Sequence, residues 1–185
     1  MTTVFIGGSR VLSRLNRAVR DKLDDLIDRG CTILIGDANG ADKAVQSYLA
    51  HRGYPKVVVF CMNSCRNNVG QWQSRPITSP TGKRDFAYYA TKDRVMVREA
   101  RCGIMFWDGK SKGTLNNILS LLNEQKKVLV YFAPTKAFQK LSNEDDLRAL
   151  LELCDSRHVE RITRELGHSD LVGTQMRFHD EAPPR

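Results

Sequence analysis

The sequence predicts a three-layer α/β sandwich on a mainly parallel sheet of about five strands, followed by accessory helices near its carboxyl end. Three observations carry this. Short apolar runs at residues 4–7, 32–36, 56–61, 103–107 and 127–132 have the continuous character of strands covered on both faces. Between most of them lie stretches with apolar residues at helical spacing, at 15–29, 41–52, 84–100 and 114–123. Three of the runs end in glycine-bearing turns, the junction expected where a parallel strand feeds a helix.

The first strand, Val4-Phe5-Ile6, runs into Gly7-Gly8-Ser9-Arg10, and the helix after it has a buried stripe of Leu15, Val19, Leu23, Leu26 and Ile27. Its charges, from Arg14 to Asp28, read as the solvated face. The second strand opens into Gly36-Asp37-Ala38-Asn39-Gly40-Ala41-Asp42-Lys43 and a second helix. After the third strand, the polar stretch 62–82 is too long for a simple connection, and such insertions are often functional. Within it, Arg66, Asn67, Asn68 and Trp72 either form a flap that stacks and reads a base, or hold turns while Trp72 closes the core.

The helix at 84–100 places Arg84, Tyr88 and Lys92 in one row and Asp85, Tyr89, Asp93 and Val97 in the next. The first row either grips phosphate over the glycine turns or belongs to a salt-bridged solvent face. Trp107, closing the next strand, is either a core plug or a platform beside the ligand. The turn Asp108-Gly109-Lys110-Ser111-Lys112-Gly113-Thr114 then leads into a helix and the last strand. Beyond Pro134, an acidic helix near 143–154 and a second near 157–166, ended by Gly167, read as accessory. Leu147, Leu150, Leu151 and Leu153 need cover, from the chain itself or from a second subunit, so a homodimer is permitted. The stretch 174–185, with Pro183 and Pro184, is expected to fray.

Open α/β sheets bind ligands at the carboxyl ends of their strands, where the free amides and positive end of a following helix favour anions. Gly40, Gly109 and Gly113 are either close-approach positions for such a ligand or ordinary cap glycines. Asp37 suits ribose hydroxyls at a strand end, and Asp42 suits capping of the second helix.

The series Gly7-Gly8-Ser9-Arg10, Gly36-Asp37-Ala38-Asn39-Gly40-Ala41-Asp42 and Asp108-Gly109-Lys110-Ser111-Lys112-Gly113-Thr114 resembles the motifs of the SLOG superfamily over about residues 3–135. That group includes LOG-type nucleotide phosphoribohydrolases and the Rossmann domains of DNA-processing protein A. The resemblance implies a Rossmann-like nucleotide-binding fold in which the second turn and the final Gly-Thr turn hold a phosphate or ribose. It also exposes departures. The glutamate of the LOG-type Pro-Gly-Gly-x-Gly-Thr-x-x-Glu pattern is here Asn117, and Trp107-Asp108-Gly109 stands for its Pro-Gly-Gly. The arginine of the Arg-Lys-x-x-Met run falls on Lys92 of Lys92-Asp93-Arg94-Val95-Met96. An amide is no general acid, base or carboxylate nucleophile, though it still hydrogen-bonds a sugar hydroxyl. Lysine keeps the charge and loses the bidentate fork.

A chain of 185 residues fits a nucleotide-binding body at 1–139, with its insertion at 62–82, and a helical extension at 140–185. The first part carries 22 basic against 11 acidic residues, the second 7 against 10. A basic body attracts phosphate-bearing partners, free nucleotides or single-stranded nucleic acid. No apolar run is long enough to cross a bilayer, so a membrane partner is not expected. The first strand begins too early for an export segment, and Cys31, Cys61, Cys102 and Cys154 read as small core thiols, which together suggest the cytoplasm. Cys61 and Cys65 have a zinc-like spacing without a second ligand pair, and His158, His168 and His179 are scattered, so neither a metal nor a cofactor is expected.

The reading that follows is binding or sensing of a nucleotide or nucleotide-derived ligand. Its site residues are Gly7, Gly8, Ser9, Arg10, Gly36, Asp37, Asn39, Gly40, Asp42, Arg84, Tyr88, Trp107, Asp108, Gly109, Lys110, Ser111, Gly113, Thr114 and Asn117. The alternative is a nucleotide N-glycosidase in which Lys92, Asp93 and Asp85 act in catalysis, since glycosidic cleavage needs a carboxylate. Single-stranded DNA binding ranks third.

Overall fold

A computed structural model describes residues 2–78 and 83–172. Strands β1 (Thr3–Gly8), β2 (Thr32–Gly36), β3 (Val57–Met62), β4 (Gln73–Ile77), β5 (Cys102–Trp107), β6 (Val128–Phe132) and β7 (Ala137–Leu141) form one sheet in the order β4-β3-β2-β1-β5-β6-β7. Every pairing is parallel except that of β6 with the edge strand β7. The sheet therefore has seven strands rather than five. The insertion at 62–82 is not loop throughout, because residues 73–77 add to β3 as an exposed edge.

Alternation along the strands sorts side chains into two cores. Val4 and Ile6 of β1, with Ile33 and Ile35 of β2, pack beneath α1 (Arg17–Asp28) and α2 (Ala41–His51). Phe5, Leu34, Phe60 and Met105 face the other way, towards α3 (Phe86–Glu99) and α4 (Lys112–Asn123). The helices α5 (Glu144–Leu151) and α6 (Ser156–Leu166) extend this second core. Leu147, Leu150, Leu151, Val159 and Ile162 are buried with Trp107 and Phe132, so the chain itself covers them, while Leu153 is exposed. The expectation for 174–185, including His179, lies outside the described residues.

Each helix starts where a short side chain accepts an amide of the first turn: Asn16 for α1, Asp85 for α3, Ser111 for α4, Asn143 for α5 and Asp155 for α6. The exception is α2, which starts at Gly40 with φ of 85°. There the Arg10 backbone lies so close that a Cβ has no room. β1 ends between β2 and β5, so successive connections leave it on opposite sides, and this switch point opens a crevice at the carboxyl ends of β1, β2 and β5.

Cys61 and Cys65 are disulfide-bonded, which corrects the reading of Cys61 as a free core thiol and removes it from the argument for a reducing compartment. Cys31, Cys102 and Cys154 are free. No helix among the described residues is long and apolar enough to cross a membrane.

Candidate nucleotide-binding site

A cavity of about 590 Å³ fills the crevice at the switch point, and all three glycine-bearing turns reach it. Gly7, Gly8, Ser9 and Arg10 come from the end of β1, Gly36 and Asp42 from the β2–α2 junction. Asp108, Lys110, Ser111, Gly113, Thr114 and Asn117 come from the turn and first turns of α4, and Arg84, Asp85, Lys92 and Asp93 from the start and inner face of α3.

Burial divides the wall into a rim and a floor. Arg10, Arg84 and Lys110 are exposed at the mouth. Asp42, Lys92, Thr114 and Asn117 are buried below them. On the floor, Lys92 Nζ donates to Asp93 Oδ1 at 2.6 Å, and Asn117 Nδ2 donates to Asp93 Oδ2 at 3.2 Å. Asp42 Oδ2 accepts from the Ala38 amide at 3.2 Å. A Cβ on Gly36 would lie 2.5 Å from Asp42 Oδ2 and 2.9 Å from Lys92 Nζ, so glycine is what lets this pair tuck under the end of β2. Two carboxylates share one ammonium here. Burial, reinforced by the charge of Asp93 and opposed by Lys92, pushes the Asp42 carboxyl up to about 7. Burial alone would lower Lys92, but Asp93 and Asp42 outweigh it and hold the ammonium above its usual range.

Among the described residues, Asn117 Oδ1 alone is a buried side-chain nitrogen or oxygen without a hydrogen-bond partner. Asp93 accepts from its amide nitrogen, which fixes the orientation of the side chain and leaves this oxygen enclosed by protein. One helical turn earlier, Gly113 also lines the cavity, with no atom within 4 Å of where a Cβ would stand.

The helix ends differ from the simple expectation of three amide mouths. At α2, the Ala41 amide donates to Ser9 O and Asp42 accepts the Ala38 amide from the turn before the helix, so part of that mouth is already engaged within the chain. α1 begins at Arg17, well past the first glycine turn. α4 brings its first turn to the cavity, with Ser111 Oγ holding the Thr114 amide and hydroxyl at its edge and Gly113 leaving the approach clear. Asp108 shapes that turn by accepting the Lys110 and Ser111 amides.

Six of the residues expected at the site lie elsewhere. Trp107 is fully buried and donates from Nε1 to Ser111 O, a core plug rather than a platform. Gly109, at φ of 75°, turns towards Phe132 and Cys154. Gly40 abuts Arg10, and Asn39 accepts from Asn67 outside the cavity. Asp37 is 1% exposed, and Arg66 spans both its oxygens, at 2.6 and 3.0 Å, which leaves them engaged rather than free for ribose. Burial would raise Asp37, but the hydrogen bonds and charge of Arg66 win and hold its carboxyl below the usual range. Tyr88 is buried, its hydroxyl accepting from Asn63, because α3 starts only at Phe86 and the row of Arg84, Tyr88 and Lys92 is not one helical face. Asp85 reaches the cavity, but its Oδ1 caps α3 by accepting the Tyr88 amide.

The phenol at the cavity is instead Tyr89, flanked by Arg10 at 5.6 Å and Arg66 at 5.1 Å from its ring centre. Its spacing from Asp85 and Asp93 is the available signal: all three of that row line the cavity, whereas the other row sends Arg84 and Lys92 there without Tyr88. Arg66 had no such signal, because its place depends on Asp37, far away in sequence. Trp72 packs against the α1–α2 core and donates to Tyr54 O, so it closes the core and reads no base. Among the described residues, no group of three His, Cys, Asp or Glu side chains is arranged to hold a metal.

No protein-family model matches the sequence, and a search among curated proteins finds no match. Among solved structures the chain is similar to DNA processing protein A from Helicobacter pylori, which binds single-stranded DNA. The likeness spans 90% of this chain and 80% of that one, at 18% identity and a TM-score of 0.54. It shows a shared α/β fold with a largely parallel sheet.

Proposed function

We propose that the cavity at the switch point binds a nucleotide or nucleotide-derived ligand in the manner of a SLOG-type domain, with the anionic end of the ligand at the open first turn of α4. The observation that carries this reading is Gly113 at that turn, which lines the cavity with no atom within 4 Å of where a Cβ would stand, beside Asn117 one helical turn on in the same wall. Helix amides and the helix dipole favour negative charge there, and Arg10, Arg84 and Lys110 at the mouth add to it. On the floor the carboxyls of Asp42 and Asp93 already engage the Lys92 ammonium, so the cavity is bipolar, cationic at its mouth and self-neutralised on its floor, and the anionic end of the ligand belongs at the mouth. Cleavage ranks lower. Asn117 cannot take the role of a carboxylate, and Asp93 is already held by Lys92 and Asn117.

Thermal unfolding with a panel of nucleoside mono-, di- and triphosphates tests the proposal, because a ligand of the folded state raises the apparent midpoint by mass action. At a concentration a hundred times the dissociation constant, the gain is about 2.7 kcal/mol. A panel in which inorganic phosphate does as well as every nucleotide, or in which nothing shifts the midpoint, overturns it.

A second reading, single-stranded DNA binding, is supported by the similar fold of DNA processing protein A and by the basic excess of residues 1–139. A groove on the α1–α2 face, lined by Arg20 and Lys43, offers cations outside the cavity. Affinity for an oligothymidylate that falls steeply with salt supports this reading; lack of such binding at low salt removes it.

A further inference from the structure

We propose that the bond between Cys61 and Cys65 is a site of reversible thiol–disulfide exchange, and that its reduction by a small dithiol releases Arg66 from Asp37 and loosens that wall of the cavity. The two cysteines are four residues apart, in β3 and just after it, so the bond joins no distant elements. What it fixes is the exit of β3. Up to residue 63 that exit is held by other means: the Asn63 amide donates to Ile77 O at 3.1 Å and Asn63 Nδ2 to the Tyr88 hydroxyl at 2.9 Å, while a φ of 58° turns the chain there. Cys65 is then tied back to Cys61. The next residue is Arg66, whose amide, Nε and Nη2 all donate to Asp37, at 3.1, 3.0 and 2.6 Å. Arg66 lines the cavity and lies 5.1 Å from the Tyr89 ring centre.

The crosslink matters to this pairing because Arg66 is 41% exposed, although Asp37 is buried. A half-exposed arginine gives up side-chain and loop freedom to make its bonds, and the ring closed by the disulfide has already removed the loop's share. Asn67 anchors the far side by donating to Asp37 O, so the segment freed on reduction is short, residues 64–66. The two sulfurs differ in access. Cys61 is fully buried, whereas Cys65 is partly exposed between the exposed Ser64 and Arg66. An incoming thiolate therefore attacks Cys65 Sγ, forming a mixed disulfide, and Cys61 leaves as a thiolate that takes up a proton. The reductant's second thiol, giving up its own proton, then displaces Cys65 and closes the reductant's own disulfide. Two electrons and two protons pass from the dithiol to the cysteine pair, and a low-molecular-weight disulfide reverses the steps. Cys31, Cys102 and Cys154 take no part.

Limited digestion of the full chain with trypsin tests this, because the protease cuts after Arg66 only when that segment opens locally. Early fragments are identified by mass spectrometry from the oxidised chain, from the chain reduced with dithiothreitol, and from the reduced chain reoxidised with glutathione disulfide. Cleavage between Arg66 and Asn67 should be about tenfold faster after reduction and should slow again on reoxidation. The double variant Cys61→Ala, Cys65→Ala should be cut at the fast rate with or without reductant. It retains the three free thiols, so a response of this variant to dithiothreitol assigns the effect to them and overturns the proposal. A bond that dithiothreitol leaves intact in the folded chain overturns it as well. So does an Arg66 cleavage rate that is the same in both thiol states, or a rise shared equally by every cleavage site, and none of these three outcomes needs the variant to fold. The digestion requires no nucleotide, so failure of this proposal and failure of the nucleotide reading are told apart.

Discussion

Replacing Asp42 with asparagine isolates the proton that the cavity floor is built to keep. In the wild type, two carboxylates face one ammonium, and the more buried of them, Asp42, is pushed up to about 7 while an unfolded aspartate ionises near 4. Between those values the folded chain holds a proton that the unfolded chain has lost. Folding stability therefore falls as pH rises from about 4 to about 7, by up to about 1.4 kcal/mol per unit and on the order of 3 to 4 kcal/mol across the window. Asp42→Asn is neutral throughout, retains an oxygen for the Ala38 amide and leaves the Lys92–Asp93 pair intact. Urea unfolding of both chains at each pH from 4 to 8 measures the difference, in which all other titrating groups largely cancel. The two chains should be nearly equal at pH 4, and the variant should gain steadily up to pH 7 and level off above it. A difference that stays flat across the range would refute the burial argument, since an Asp42 ionised like a surface carboxylate gives no slope there.

Two further outcomes follow from the wall around that floor. Arg66→Ala leaves Asp37 buried without its partner, and chemical denaturation should show a loss of about 2 to 4 kcal/mol, reduced from the fully buried case because Arg66 is 41% exposed. Most of that loss should return in Arg66→Ala combined with Asp37→Asn, and no return would mean that Arg66 acts through packing on Tyr89 alone. The disulfide between Cys61 and Cys65 closes a short loop directly before Arg66, so the double variant Cys61→Ala, Cys65→Ala should lose about 2 kcal/mol in the same assay, and an unchanged midpoint would deny the crosslink any such role.

The five central strands are legible as sequence because strands covered on both faces are written as unbroken apolar runs, and glycine marks where three of them end. β4 and β7 are not, for the same reason reversed. Residues 73–77 read Gln-Ser-Arg-Pro-Ile and lie exposed at an edge, and β7 is only partly covered, with Leu141 alone buried, so neither carries an apolar run and their pairing is set by the neighbouring strand. The meeting of three turns was legible, because parallel strands send their exits to one edge of a sheet. Which side chains turn into the crevice was not. Tyr88 and Tyr89 differ by one position, and the choice between them depends on Asp85 capping α3, which sets where the helical phase begins. Trp107 has the same sequence whether it plugs a core or faces a ligand; the outcome was decided by α5 and α6, which close over that side of the sheet.

The charges of this cavity weigh against reading the basic excess of the chain as its ligand signal. Lys92 is engaged by Asp93 and Asp42, and Arg66 by Asp37, so two of the cations lining the cavity neutralise the protein's own carboxylates. What remains for a ligand is the exposed set at the mouth, Arg10, Arg84 and Lys110, together with the open turn of α4. The larger excess lies outside, including Arg20 and Lys43 on the α1–α2 face. Two surfaces with different electrostatics should respond differently to salt. Binding of a single nucleotide, governed by a few contacts in a partly enclosed crevice, should weaken only modestly as salt rises, whereas a polymer lying across the basic face should lose affinity in proportion to the phosphates it engages. The bipolar cavity and the basic exterior are thus separate arguments, and the failure of either leaves the other intact.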